Sequence, residues 1–477
     1  MKKTAFACAC LLLGMASQEM AARISLPNIL SSNMVLQQQT RVNLWGTSDE
    51  TGYVEVKASW SSETFRAKIG NKGQWSVSLQ TPSAGGPHTL TFQDRTEKQT
   101  LTNVLTGEVW LCSGQSNMEM PVKGFESQPV LGSTETIAAA REETPIRLFN
   151  VQRAASKTPM DDCVGTWQTH TPDAVASTSA TAYFFGRQLL RSLGSQTPIG
   201  LIHTSWGGSS IEAWMSREAL RLFPNINLKH LDNSDPIKGP NQSPTVLHNA
   251  MLHPLRACAI RGVIWYQGEA NRDRAKQYEA LMQNFVGELR QAFDDDELPF
   301  YYVQIAPFGY TTRIVRNAGT LLREAQLNAE ATIPHSGMAV LMDIGDQTCI
   351  HPTHKQEVGE RLAYMALHDT YKVKGIPAFS PRYASHKVEK NRMILTFSRA
   401  EMGLTSYGKP LTQFEIAGED KVFVPAKASI IRGGKVQVWS ETIPNPRHVR
   451  YAFKDYVVGD LFGVNGLPVS SFRTSQD

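Results

Sequence analysis

The chain has 477 residues, 41% of them hydrophobic and 19% charged, with a formal net charge of +4. That length exceeds one comfortable hydrophobic core, so two or three domains are expected, and the ordinary composition excludes wholesale disorder. No dense Lys/Arg cluster accompanies the small positive excess, which gives no reason to invoke nucleic acid as a partner.

The N-terminus reads as an export signal. Lys2 and Lys3 precede the apolar run Ala5–Leu13, and small residues at Gly14, Ala16 and Ser17, then at Ala21 and Ala22, suit cleavage. The run is too short for a stable membrane anchor. Residues 1–22 are therefore set apart as a signal peptide, cleaved after about 16–22 residues. The remainder is expected to be exported, periplasmic or extracellular, with no membrane span. Beyond the signal lie Cys112, Cys163, Cys258 and Cys349. At that density they read as buried thiols, with a single bridge left open. No CxxC and no Cys/His spacing points to a metal.

Residues 23–104 carry short period-2 runs, among them "RVNLWGT", "YVEVKASW" and "QWSVSLQT", divided by Gly, Ser, Asn and Pro clusters. This predicts an N-terminal β-sandwich-like module. Residues 105–375 change texture. Continuous apolar segments ("EVWLCS", "IGLIHTS", "GVIWYQG", "FYYVQIA", "MAVLMDI") alternate with helical patterns such as "KQYEALMQNFVGELRQAF" and "AYFFGRQLLRSLG". Such alternation predicts an α/β domain whose parallel sheet is covered on both faces. Residues 376–477 return to short alternating runs and predict a C-terminal β-rich region, placed provisionally against the N-terminal module.

Ligands of a parallel sheet bind beyond the carboxyl ends of its strands. There the chain puts Gln115-Ser116-Asn117, Gly207-Gly208-Ser209, Gln267-Gly268-Glu269 and, after "VLMDI", Asp346 and His351. These are the parts of an acyl-transfer site. A serine hydroxyl needs a base to become a nucleophile, and histidine titrates in the right range. The Ser116 and Gly207 N–H groups and the Gln267 amide are candidate oxyanion donors. Ser116 could instead be a plain helix N-cap, Gly207 a turn glycine of positive φ, and Gln267 a loop-fixing amide. Gly114-Gln115-Ser116-Asn117-Met118 departs from the nucleophile elbow of α/β-hydrolases at its last position.

The blocks "GEVWLCSGQSNMEMPV", "TSWGGSSIEAWM", "VIWYQGEAN" and "DIGDQTCIHPTHKQEVGERLA", in that order, resemble the sialate O-acetylesterase family, a branch of the SGNH (GDSL-like) hydrolases. The resemblance covers nearly the whole chain beyond the signal. It implies a three-layer α/β/α SGNH-hydrolase core with flanking β modules. It implies Ser116 as nucleophile, His351 as base, Gly207 and Gln267 as oxyanion donors, and Glu269 as a carboxylate that organises the site. Many relatives carry an Asp two or three residues before the histidine, where this chain has Cys349 and Thr348. A Ser–His dyad oriented by a backbone carbonyl, or a triad completed by Asp346 or Asp343, both remain open, with Asp346 the better acidic candidate.

The implied reaction is hydrolysis of an acetyl ester on a sugar, O9-acetylated sialic acid first, with no cofactor and no metal. Trp206 and Trp214 are candidate sugar-facing walls. Arg272 and Arg274, or Arg313 and Arg316, could meet a substrate carboxylate. Rival readings are an acetylxylan or other plant-polysaccharide acetylesterase, a carbohydrate-binding protein with a dead hydrolase core, and a lipase.

Overall fold

The computed structural model describes residues 24–310, 315 and 317–475. The expected signal peptide and Arg313 and Arg316 lie outside the described residues.

The central element is a single 17-residue strand, β1 (Lys98–Gly114). Its first half alternates between buried and exposed, while everything from Val104 onward is buried. The change has a topological cause. The first half pairs antiparallel with Gly85–Gln93 of the N-terminal β module, where one sheet face meets solvent. The second half enters a parallel sheet covered on both sides. β1 therefore runs straight through the position, 104/105, at which the sequence texture changes.

After β1 come α1 (Ser116–Glu119), β2 (Ile146–Asn150), α2 (Ala180–Leu193), β3 (Ile199–Ser205) and β4 (Gly262–Tyr266). Then follow α3 (Ala275–Ala292), β5 (Phe300–Val303), α4 (Ala318–Thr332), β6 (Ser336–Ala339) and α5 (Lys355–Met365). The strands lie in the order β2-β3-β1-β4-β5-β6, all parallel, with Trp167–Gln168 antiparallel outside β2. The chain leaves β1 for one side of the sheet and later returns to build the other. The strand order thus reverses beside the carboxyl end of β1, where ligand sites of such sheets form.

Period-2 side-chain alternation sorts the apolar strands onto two cores. Trp110 and Cys112 pack with Tyr183 and Phe184 of α2 and with Val358 and Leu362 of α5. Val109 and Leu111 face the other way, in a core with Tyr278 and Leu281 of α3 and Leu322 of α4. The stripe expected on "KQYEALMQNFVGELRQAF" is the buried face of α3, and α2 stops before Gly194, whose φ is 111°. Two details differ from expectation. β2, from "IRLFN", is a buried strand directly after Pro145 that the expected strand segments did not include. β6 ends at Ala339, and the rest of "VLMDI" leaves the sheet as a turn.

The C-terminal region forms two four-stranded antiparallel sheets and a short two-stranded one. Among the described residues its hydrogen bonds run to the α/β domain and not to the N-terminal strands, contrary to the provisional placement. Asp455 accepts from the Gly319 and Thr320 N–H groups at the start of α4, Arg473 pairs with Glu324, and Ser470 exchanges hydrogen bonds with Gln304. The four cysteines beyond the expected signal are all free thiols. No helix among the described residues is long and apolar enough to cross a membrane.

Candidate active site

Ser116 is the first residue of α1, directly beyond β1, and is half-buried. Its approach is tightly built. Gly114 has φ 148°, and a Cβ there would run into the Tyr266 carbonyl at the end of β4, so only glycine lets the two strand ends close. The helix N-cap is Gln115, not Ser116, so the hydroxyl is not spent on capping. Gln115 instead locks the loop after β4, its Oε1 accepting from the Gly268 and Ala270 N–H groups at 3.2 and 3.3 Å.

His351 enters on the loop after β6. Its Nδ1 lies 2.5 Å from Oε1 of Gln128, and Phe125 packs edge-on against the ring at 5.3 Å. A carbonyl oxygen can only accept, so Nδ1 carries the proton and Nε2 keeps its lone pair. Burial, aided by the charge of Lys355, pushes the imidazole pKa down to about 4. At neutral pH the ring is an uncharged proton acceptor.

Neither acidic candidate reaches this ring. Asp346 is exposed and turned back on its own loop, accepting from the Thr348 and Cys349 N–H groups at 2.7 and 2.8 Å. Asp343 is held by Arg361 in a two-pronged pair, at 2.8 and 2.6 Å. The expectation of Asp346 as third member is corrected accordingly: the orienting group is a neutral amide from a turn 223 residues earlier.

The Ser116 turn and the His351 loop are stitched together by Asn117. Its Nδ2 donates to Glu269 Oε1 at 2.6 Å and to the Ile350 carbonyl at 3.1 Å, while its Oδ1 accepts from Lys355 Nζ at 2.5 Å. The neighbours of Ser116 and of His351 are thus directly hydrogen-bonded. Glu269 is buried, its Oε2 has no hydrogen-bond partner among the described residues, and burial raises its pKa. Glu269 thus lies against Asn117, the residue after Ser116.

The oxyanion candidates differ among themselves. Among the described residues the Ser116 N–H donates to no loop or turn carbonyl. The Gly207 N–H, beyond β3, donates to Glu119 Oε2 at 2.8 Å, and Glu119 in turn pairs with Arg153 at 2.5 Å. The positive φ expected at Gly207 belongs to Gly208 (68°). Gly207 is small for another reason: a Cβ there would lie 2.9 Å from Glu119 Oε2 and 3.4 Å from Ser116 Cβ. Gln267 is fully buried. Both amide hydrogens are used, on the Ser209 carbonyl at 3.0 Å and Asn271 Oδ1 at 2.8 Å, and Oε1 accepts from Tyr278 at 2.8 Å. It has no donor left for an oxyanion and serves as the bracket between the loops after β3 and β4.

Of the proposed walls, Trp206 is half-buried with the Arg153 guanidinium over its ring at 5.6 Å. Trp214 is fully buried and packs edge-on against Trp265, which removes it from the substrate side. Arg274 is paired with Glu212, and Arg272 with the Glu269 carbonyl, Asp273 and the Tyr310 ring. Arg153, which sequence position did not single out, is the cation joined to Gly207 through Glu119. No group of three His, Cys, Asp or Glu side chains among the described residues is arranged to hold a metal ion.

Residues 106–368 match a family model described as "Carbohydrate esterase, sialic acid-specific acetylesterase". The chain is 30% identical over 367 residues to a human sialate O-acetylesterase, covering 70% of this chain and 68% of that one. It is 29% identical over 396 residues to the rat protein of the same name, covering 70% and 71%. It is also similar to a crystal structure of a carbohydrate acetylesterase from Xanthomonas citri. That match has TM-score 0.86 and 33% identity, covering 95% of this chain and all of that one.

Proposed function

The chain belongs to the sialic acid-specific acetylesterase family of carbohydrate esterases, and on that premise we propose that it releases acetate from O-acetylated sugars by a Ser116–His351 mechanism on a three-layer SGNH core. One observation carries this reading. A serine without a capping duty and a neutral histidine with a fixed Nδ1 proton sit on loops tied together by Asn117.

Ser116 Oγ attacks the acetyl carbonyl while His351 Nε2 takes its proton. The Ser116 N–H meets the developing oxyanion. The Gly207 N–H joins it once the Glu119 carboxylate turns wholly to Arg153, its present second partner. A carboxylate left beside a forming oxyanion would oppose it, so this movement is part of the cycle. His351 then protonates the leaving sugar hydroxyl, and water attacks the acetyl-enzyme with the same base. Trp206 and Arg153 form the sugar-facing wall, and the guanidinium suits a substrate carboxylate.

The first substrate choice is O-acetylated sialic acid, in keeping with the names of the human and rat relatives, and the ester we propose first is that at O9. A second reading takes acetyl esters of plant polysaccharides as the substrate; the near full-length match to a carbohydrate acetylesterase from Xanthomonas citri supports acetyl-ester cleavage on either sugar. We further propose residues 105–375 as the hydrolase domain between two β modules, and export through residues 1–22. Acetate release from O-acetylated sialic acid and from acetylated xylan, measured beside folded Ser116→Ala, tests the substrate and the nucleophile. Release from the sialate alone, abolished in the variant, supports the full reading. Release mainly from xylan replaces the substrate and keeps the mechanism. Release that survives the substitution removes Ser116 as nucleophile.

A further inference from the structure

Lys355 is the first residue of α5 and is wholly buried. A lysine is rarely placed so unless its ammonium is matched. Here Nζ donates to Asn117 Oδ1 at 2.5 Å and lies 5.4 Å from the centre of the Tyr266 ring. The opposite charge, Glu269, does not touch it. It grips the other end of the same amide, Asn117 Nδ2, at 2.6 Å. A buried ammonium and a buried carboxylate thus hold one asparagine between them. That asparagine follows the nucleophile and donates to the carbonyl that precedes the base.

We propose that Lys355 and Glu269 form a bridged charge pair that positions Asn117 between the Ser116 turn and the His351 loop, close enough for the pair's net charge to be felt at the His351 ring. The inference rests on the Ser116–His351 reading for its kinetic arm. The titratable groups facing Lys355 are Glu269, from the turn after β4; Tyr266, from β4; and Cys349 and His351, from the loop after β6. From α1 and α2 come the uncharged Asn117 and Thr181, the latter donating to the Asn117 carbonyl at 3.2 Å. The Lys355 ammonium and an imidazolium at His351 repel each other. Glu269 partly cancels that repulsion. The three groups therefore titrate as a coupled set.

The test is the pH profile of kcat/KM together with an NMR titration of the His351 ring, in wild type, Lys355→Met, Glu269→Gln and the double variant. Lys355→Met removes the repelling charge, so both the acid limb and the ring pKa move up, by about half a pH unit or more. Glu269→Gln leaves the ammonium uncompensated, so both move down. The double variant moves up, as Lys355→Met does, and recovers folding stability that Lys355→Met loses by stranding Glu269. A role confined to packing would lower kcat without moving the limb in opposite directions. Ring pKa values that stay put in the folded variants overturn the proposal. If Lys355→Met does not fold, the direction seen in Glu269→Gln decides it. Ring shifts in the expected directions alongside activity that survives Ser116→Ala would keep the charge pair and discard the nucleophile assignment.

Discussion

Gln128 gives His351 an acceptor without a charge. In triads built on Asp, the carboxylate both fixes the tautomer and stabilises the imidazolium that forms during turnover. An amide does the first only. With burial and Lys355 also working against the charged ring, the acid limb of kcat/KM is expected near pH 4, far below an ordinary histidine at 6.5. The sign for stability follows. Between about pH 4 and 6.5 the unfolded chain binds the proton and the folded chain does not. His351 therefore adds stability that is full above 6.5 and lost as pH falls through 4. Gln128→Glu supplies the missing charge and is expected to raise the limb by about one unit or more. Gln128→Ala frees the ring to reorient and is expected to cost about 10²-fold in kcat/KM. Stopped-assay pH profiles of both variants check this. Ser116 and His351 were legible in the sequence because each sits in a distinctive block at a strand end. Gln128 was not, because nothing local marks it. It becomes a partner only when the turn Phe125–Gln128 folds onto the base loop. The Glu119 cap on Gly207 was hidden in the same way.

At the scale of elements, the loops after β1, β3 and β4 are held by side-chain amides more than by backbone pairing. Gln267 is the densest of these brackets, tying Ser209, Asn271 and Tyr278 in a site with no access to water. Gln267→Ala would leave the Ser209 carbonyl without its partner, while Asn271 Oδ1 keeps the Ile211 N–H and the Tyr278 hydroxyl keeps the backbone carbonyl of residue 267. It is expected to destabilise the fold by about 1–3 kcal/mol, read from the midpoint of urea unfolding. Activity per folded molecule should fall as the two loops lose their registration. An unchanged midpoint would mean the bracket is dispensable. The strands and helices that build these loops were readable where the apolar pattern was long and periodic, as in α3. β2 escaped because only three of its five residues, Ile146, Leu148 and Phe149, are apolar, and so short a run fits several structures equally. The early end of β6 escaped because hydrophobicity continues through Val340, Leu341 and Met342, all buried, after the pairing stops.

For the molecule as a whole, β1 makes the N-terminal module and the α/β domain share one strand. The module supplies Gly85–Gln93 to its first half, and β3 and β4 flank its second. Unfolding the module frays the central strand of the hydrolase sheet. Calorimetry is therefore expected to show residues 24–375 melting in one transition, and a chain truncated before Thr106 is expected not to fold. Two well-separated transitions would contradict this. A division of the chain by texture finds a boundary at 104/105 because hydrophobic alternation changes there, and texture reports what covers a strand rather than whether it continues.

The shared strand also bears on how such a protein can be assembled over evolutionary time. Domains that shuffle freely meet at loops, where a cut leaves both sides whole. Here a join placed anywhere between Lys98 and Gly114 severs a ladder on one side or the other. The module is thus no detachable cassette. Gene rearrangements that swap it for another must carry the strand along, and the nucleophile at its end travels with them.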